Sequence, residues 1–198
     1  MKDITHIAVL RNDVLGDVAL SCPLFTKIKQ QWPHATLTVI VQEVTAPLLT
    51  LHPAVDHIIT DYRQTHRASF PILLNTIVSA LKKQQFDMIF FPKMDALYVW
   101  AAFLAKIPCR VGDKQQLLLN PLLTHKVPII WHDFTRHESE QQCQLLSPFN
   151  QNLTNLENLD CELIMTDQMK DAVKKKFALP DKEFILMHPG FGKGNRGW

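Results

Sequence analysis

The sequence predicts an α/β fold, a parallel sheet with helices on both faces, and three observations carry that prediction. Short apolar runs such as 6–10, 36–41 and 87–91 alternate with longer stretches of helical periodicity such as 70–85. The runs are apolar at successive positions rather than at every second one, as strands buried on both faces require. Hydrophobic residues make up 46% of the 198, enough for one α/β domain with a real core.

Each element has a local reason. Residues 6–10 read as the first strand. Residues 16–32 then read as one helix, with Val18, Leu20, Leu24, Phe25 and Ile28 on its inner side. Pro23 is awkward inside it, because proline lacks the backbone donor, and Pro33 marks its end. The β-branched run 36–41 is the second strand. A short helix is expected over 44–51 and a third strand over 56–60. Leu73, Leu74, Ile77, Val78 and Leu81 define a helix over 70–85. A fourth strand at 87–91, an apolar helix at 95–106 and a fifth strand at 109–112 follow. A short strand near 127–130 and a helix over about 135–146 come next. Asparagine-rich 150–160 reads as a surface loop. Residues 167–177 form a helix with three lysines in its last turn, and 184–188 a final strand.

Charge and motifs exclude several functions. A net charge of +2 lacks the dense basic face of a nucleic-acid binder. The four cysteines form no C-x-x-C pair and read as buried reduced thiols, as in a cytoplasmic protein. No apolar run reaches the ~20 residues that span a bilayer, and the N-terminus has no signal-peptide pattern. There is no G-x-G-x-x-G, no P-loop, no G-x-S-x-G and no H-E-x-x-H. His132, Asp133, His137 and Glu138 could bind a metal in principle, but they read better as loop and helix-start residues.

In parallel sheets ligands bind beyond the carboxyl ends of the strands. The chemistry is therefore expected in the loops after Leu10, Val41, Thr60, Phe91 and Gly112. Gly16 and Asp17 lie just beyond the first strand. Gly16 lets a ligand approach closely, while Asp17 either complements the helix dipole or acts chemically.

Arg11-x-x-x-x-Gly16-Asp17-Val18, with Leu20 and Pro23 after it, resembles the N-terminal motif of the glycosyltransferase family 9 heptosyltransferases. Trp32-Pro33-His34-Ala35, Pro53-x-Val55-Asp56, Arg110-Val111-Gly112 and His137-x-x-Glu140 match in the same order. His188-Pro189-Gly190…Arg196-x-Trp198 resembles the segment that opens that family's second domain.

The resemblance implies a GT-B fold, with two Rossmann-like domains facing a cleft. Residues 1–180 would be the acceptor-side domain and 181–198 the start of a truncated nucleotide-sugar-binding domain. The implied reaction is heptose transfer from ADP-heptose, or another nucleotide sugar, to the lipopolysaccharide core. The implied place is the cytoplasm, with peripheral contact at the inner face of the inner membrane. No cofactor and no metal are implied, and the chain alone is expected to be inactive.

By position Asp17 corresponds to the general base and Arg196 to the residue meeting the donor phosphates. Arg11, Asp13, Gly16, Arg63 and Arg67 are the candidate substrate-binding residues. A carboxylate near a helix start is a weak base, so proton transfer is expected late, after bond formation has acidified the hydroxyl. Asp13 and Val14 stand where many family members carry serines. A negative Asp13 at the site disfavours an acidic acceptor sugar, unless it is an outward loop residue. Arg63, His66 and Arg67 either meet acidic groups of the acceptor or form a solvated basic loop. Tyr98 and Trp100 read as core or interdomain residues rather than lipid contacts.

Two other readings compete. One is a non-catalytic glycolipid-binding module, or half of a split enzyme. The other is an unrelated nucleotide binder of the same fold class.

Overall fold

A computed structural model describes residues 3–65, 69–130, 135–154 and 163–187. By its contacts the chain forms two compact units, 1–164 and 165–198.

The first unit is built on six parallel strands: β1 (His6–Leu10), β2 (Thr36–Val41), β3 (His57–Thr60), β4 (Met88–Phe91), β5 (Cys109–Asp113) and β6 (His125–Val127). Their order in the sheet is β3-β2-β1-β4-β5-β6. β1 pairs with β2 from His6 opposite Thr36 to Leu10 opposite Ile40, and with β4 from Ile7 opposite Met88. This is the expected Rossmann-like α/β sheet. The strand order reverses between β1 and β4, so the crevice beyond Leu10 and Phe91 is where such a sheet binds ligands.

Strand periodicity divides the core in two. Ile7 and Val9 of β1, with Met88 and Phe90 of β4, face α1 (Leu15–Ala19), α2 (Cys22–Gln31) and α7 (Glu138–Cys143). Ala8 and Leu10, with Ile89 and Phe91, face α5 (Phe70–Gln84) and α6 (Ala96–Leu104). Two short helices, α3 (Ala46–Leu49) and α4 (Tyr62–Thr65), complete this unit. The apolar runs are continuous because both faces are covered.

The structure departs from the sequence expectations at identifiable points. The expected helix 16–32 is two helices, broken at Leu20 and Ser21. Pro23 explains the break: it occupies the first turn of α2, where its missing donor costs nothing. The last strand of the sheet is 125–127 rather than 127–130. Val111 pairs with His125, and Pro128 cannot donate to extend the ladder. The expected helix 135–146 is shorter, with α7 followed by a 3-10 turn at Gln144–Leu146. The stretch after β3 that read as a basic loop begins with the helix α4.

Other sequence features have plain structural roles. Asp56 accepts from the backbone N–H of Leu37 at 2.7 Å and pairs with Lys29 at 2.6 Å, fixing the approach to β3. Arg110 donates to the carbonyls of Leu122 and Ile107, tying the loops around β5 together. Trp32 packs against Phe90 and Phe149.

In the second unit, α8 (Asp167–Phe177) is capped by Thr166, whose side chain accepts from the Met169 N–H at 3.2 Å. Residues 184–187 are not a strand, contrary to expectation, and His188 lies outside the described residues. A strand exists by pairing, and 184–187 have no ladder partner among the described residues.

Candidate active site

A cavity of about 370 Å3 opens at the β1/β4 crevice, lined by Arg11, Asp13, Asp17, Pro92, Lys93, Met94, Asp113, Gln116 and Glu138. Its walls come from the loops after β1, β4 and β5 and from the start of α7. Strand ends converge there because the chain leaves β1 toward one face of the sheet and β4 toward the other.

Arg11 organises this wall. It is the first residue after β1 and is almost fully buried. Its Nε donates to the main-chain carbonyl of Asp17 at 3.1 Å. One terminal nitrogen lies 3.0 Å from Asp13 Oδ2 and the other donates to Glu138 Oε1 at 3.3 Å. Asp13 is also buried and pairs through its other oxygen with Lys93. Asp13 is therefore not an outward loop residue: burial of its carboxylate is offset by two cations.

Asp17 lies in the first turn of α1, half-buried, with its carboxylate facing the cavity. Among the described residues that carboxylate makes no hydrogen bond or ion pair. Its main-chain carbonyl, by contrast, is held by Arg11 and lies 2.9 Å from Ser21 Oγ. Ser21 Oγ is also 2.6 Å from Gln142 Oε1, and Gln142 donates to Glu138 at 3.1 Å. The backbone at Asp17 is thus held by Arg11 while its side chain stays available. At Gly16 a Cβ would meet no atom within 4 Å, so the space in front of it is open to a ligand.

A second cluster lies on the other side of the β1 loop. Asn12 donates to Asp61 Oδ2 at 3.1 Å and to Asp95 Oδ2 at 3.4 Å. Arg63 clamps both carboxylates, at 2.7 Å to Asp61 Oδ2 and 2.7 Å to Asp95 Oδ2, and stacks over the Tyr98 ring. The Tyr98 hydroxyl donates to Asp61 Oδ1 at 2.8 Å and accepts from the Tyr62 N–H at 3.1 Å. Burial works to raise the Asp61 carboxyl, but hydrogen bonds from Arg63 and Tyr98 outweigh it and hold the group below the usual carboxylate range. Burial and the Asp61 charge push the Tyr98 phenol upward. Asp95 also caps α6, accepting from the Tyr98 N–H at 3.2 Å.

Of the expected site residues, the fold brings Arg11, Asp13 and Asp17 to one cavity, with Gly16 next to Asp17 on α1. Arg63 is not among the cavity's lining residues; its guanidinium is engaged by Asp61 and Asp95. Arg67 and Arg196 lie outside the described residues, as do His66, His132 and Asp133. His137 caps α7, its ring nitrogen accepting from the Ser139 N–H at 3.3 Å, and Glu138 holds Arg11. Tyr98 is a fully buried core residue, whereas Trp100 is partly exposed. Among the described residues no three His, Cys, Asp or Glu side chains are grouped to hold a metal, and no helix is long and apolar enough to cross a membrane.

Lys93 and Gln116 were missed by the sequence reading. The usable signal was position: Lys93 follows β4, beside β1, and Gln116 follows β5, beside β4. Without the strand order, a lysine after an apolar run reads as an ordinary surface residue.

No protein-family model matches the chain. A Haemophilus influenzae protein, whose name gives glycosyltransferase as a provisional assignment, is 38% identical over 81 residues, covering 41% of this chain and 22% of that protein. The family 9 glycosyl transferase of Veillonella parvula superposes with a TM-score of 0.73 at 18% identity, over 91% of this chain and 52% of that one. E. coli ADP-heptose lipopolysaccharide heptosyltransferase II gives 0.66 at 16% identity, over 89% and 52%. An E. coli heptosyltransferase solved with ADP-2-deoxy-2-fluoro heptose gives 0.64 at 18% identity, over 79% and 52%. The chain spans about half the length of these solved structures, and its fold is the Rossmann-like α/β fold found in one half of these GT-B glycosyltransferases.

Proposed function

We propose that this chain supplies the acceptor-side half of a glycosyltransferase that moves heptose from ADP-heptose onto a lipopolysaccharide-type glycolipid. The observation that carries this reading is the Asp17 carboxylate, unpaired among the described residues and facing a cavity at the switch point of the sheet. The solved neighbours named for ADP-heptose and lipopolysaccharide support the choice of substrates. The reaction belongs at the cytoplasmic face of the inner membrane, where such an acceptor is reached from the nucleotide-sugar pool.

In this reading Asp17 accepts the proton of the acceptor hydroxyl as its oxygen attacks the anomeric carbon. The bond between that carbon and the phosphate oxygen breaks, and its electron pair leaves with the diphosphate. Attack and departure occur on opposite faces of the sugar, so configuration inverts. Arg11 donates to the Asp17 main-chain carbonyl and so fixes the backbone from which the carboxylate projects. A donor-binding half positions the nucleotide sugar, and Arg196 neutralises the departing phosphate.

The test is a transfer assay with radiolabelled ADP-heptose, using the chain joined to or mixed with a donor-binding half. Asp17→Asn is expected to lower kcat by about 10²–10⁴-fold, the usual contribution of a general base. The 198-residue chain by itself is expected to transfer nothing. Full activity of the Asp17→Asn variant would sink the assignment.

A further inference from the structure

We propose that Asp13 is a specificity-determining residue that keeps anions out of the Asp17 cavity, so that the group presented there is a neutral sugar hydroxyl rather than an acidic sugar or a sugar phosphate. This deepens the reading above and rests on it.

The argument is one of charge and engagement. Four carboxylates line the cavity, Asp13, Asp17, Asp113 and Glu138, against two cations, Arg11 and Lys93. Both cations are already paired within the cavity wall. Arg11 is buried and occupied by Asp13, Glu138 and the Asp17 carbonyl. Lys93, the more exposed of the two, is pinned to Asp13. One buried carboxylate therefore holds both positive groups. An entering phosphate or carboxylate would face the unpaired Asp17 charge with no free cation from the described lining. It could gain one only by breaking a pair around Asp13, which leaves a buried charge poorly compensated. A neutral hydroxyl meets no such penalty and can donate to Asp17. The wall that excludes an acidic group also keeps Asp17 free of a cationic partner.

The experiment is an NMR titration of the purified chain with inorganic phosphate, following the amides of Gly16, Lys93 and Asp113. The wild-type chain is expected to show no saturable shift at these positions. Asp13→Asn frees Lys93, and phosphate binding is expected to tighten about tenfold or more, the scale of one charge-assisted hydrogen bond. Adding Lys93→Met to that variant is expected to remove the gain. Saturable binding of phosphate at these amides in the wild-type chain overturns the proposal. So does an Asp13→Asn variant that folds and gains nothing, or a gain that Lys93→Met leaves untouched. Should Asp13→Asn fail to fold, the wild-type titration decides alone. Failure here leaves the role of Asp17 open, since that role is decided by sugar transfer in Asp17→Asn.

Discussion

The Arg11 Nε donates to the main-chain carbonyl of Asp17 at 3.1 Å, yet Arg11 turns its terminal nitrogens to Asp13 and Glu138. The guanidinium fixes the backbone that carries the Asp17 carboxylate without neutralising that carboxylate. A planar group with five donors can divide itself in this way, whereas a lysine at the same place could not.

Arg11 should therefore be costly to replace. Arg11→Ala leaves the buried Asp13 with Lys93 alone and is expected to lower stability by about 3 kcal/mol, the scale for breaking a buried ion pair. Arg11→Lys restores charge but not the fork, and should recover only part of the loss. Urea denaturation measures both, and an Arg11→Ala variant as stable as wild type would show that the wall stands without it.

Asp61 gives the molecule an acid-sensitive cluster. Its folded value lies below the ordinary 3.8 despite burial, because Arg63 and Tyr98 donate to it. A depressed carboxyl contributes stability that is fully present above the unfolded value and lost as pH falls through the folded one. Asp61→Asn is thus expected to cost about 2 kcal/mol at pH 7, with Arg63 half-exposed and still held by Asp95. The gap to wild type should close as pH drops below the ordinary 3.8 and through the lower folded value. Thermal melts of both proteins over falling pH test this; a gap that stays constant until both proteins unfold in acid contradicts it.

The two glycines near the site should respond oppositely to alanine. At Gly112 a Cβ would lie 2.5 Å from Met94 Sδ and 3.1 Å from Leu123 Cδ1, so Met94 must move and the buried Leu123 must yield. Gly112→Ala should destabilise by about 1–2 kcal/mol, an overpacking cost. Met94 lines the cavity, so its shape should change too. Gly16→Ala meets only open space and sits in a helix, so it should be neutral or stabilising by up to about 1 kcal/mol. If a ligand approaches there, the same change weakens its binding. Stability measurements that give the two variants the same sign would refute the contrast.

The buried thiols should be inert. Burial pushes the Cys143 thiol up to about 12, and Cys22 is likewise inside the core. Reactivity follows thiolate content and access. Iodoacetamide at pH 8, read by peptide mass spectrometry, should leave both unlabelled until denaturant is added. Labelling in the folded protein would mean that α2 or α7 opens.

Much of the fold is set by local pattern. Apolar runs, helical spacing and proline positions placed the first five strands and the major helices within a few residues, because both sheet faces need apolar residues and helices need one apolar side. Gly16 and Asp17 stood out by their place beyond the first strand, where the chain must turn, and Arg11 and Asp13 by the resemblance of the motif around them. Tertiary structure decided the rest. Pro23 splits the first helix, and Val111 opposite His125, with Pro128 beyond, sets the last strand at 125–127. Whether Asp13 points outward or inward depended on Arg11 and Lys93, one of them 80 residues away. Lys93 joins the site only because β4 lies beside β1, and Arg63 is drawn to Asp61 and Asp95 rather than left as a free basic loop. Periodicity is a property of neighbours along the chain, and the sequence carries it openly. Pairing between charges from different strands depends on sheet order, which local pattern does not encode.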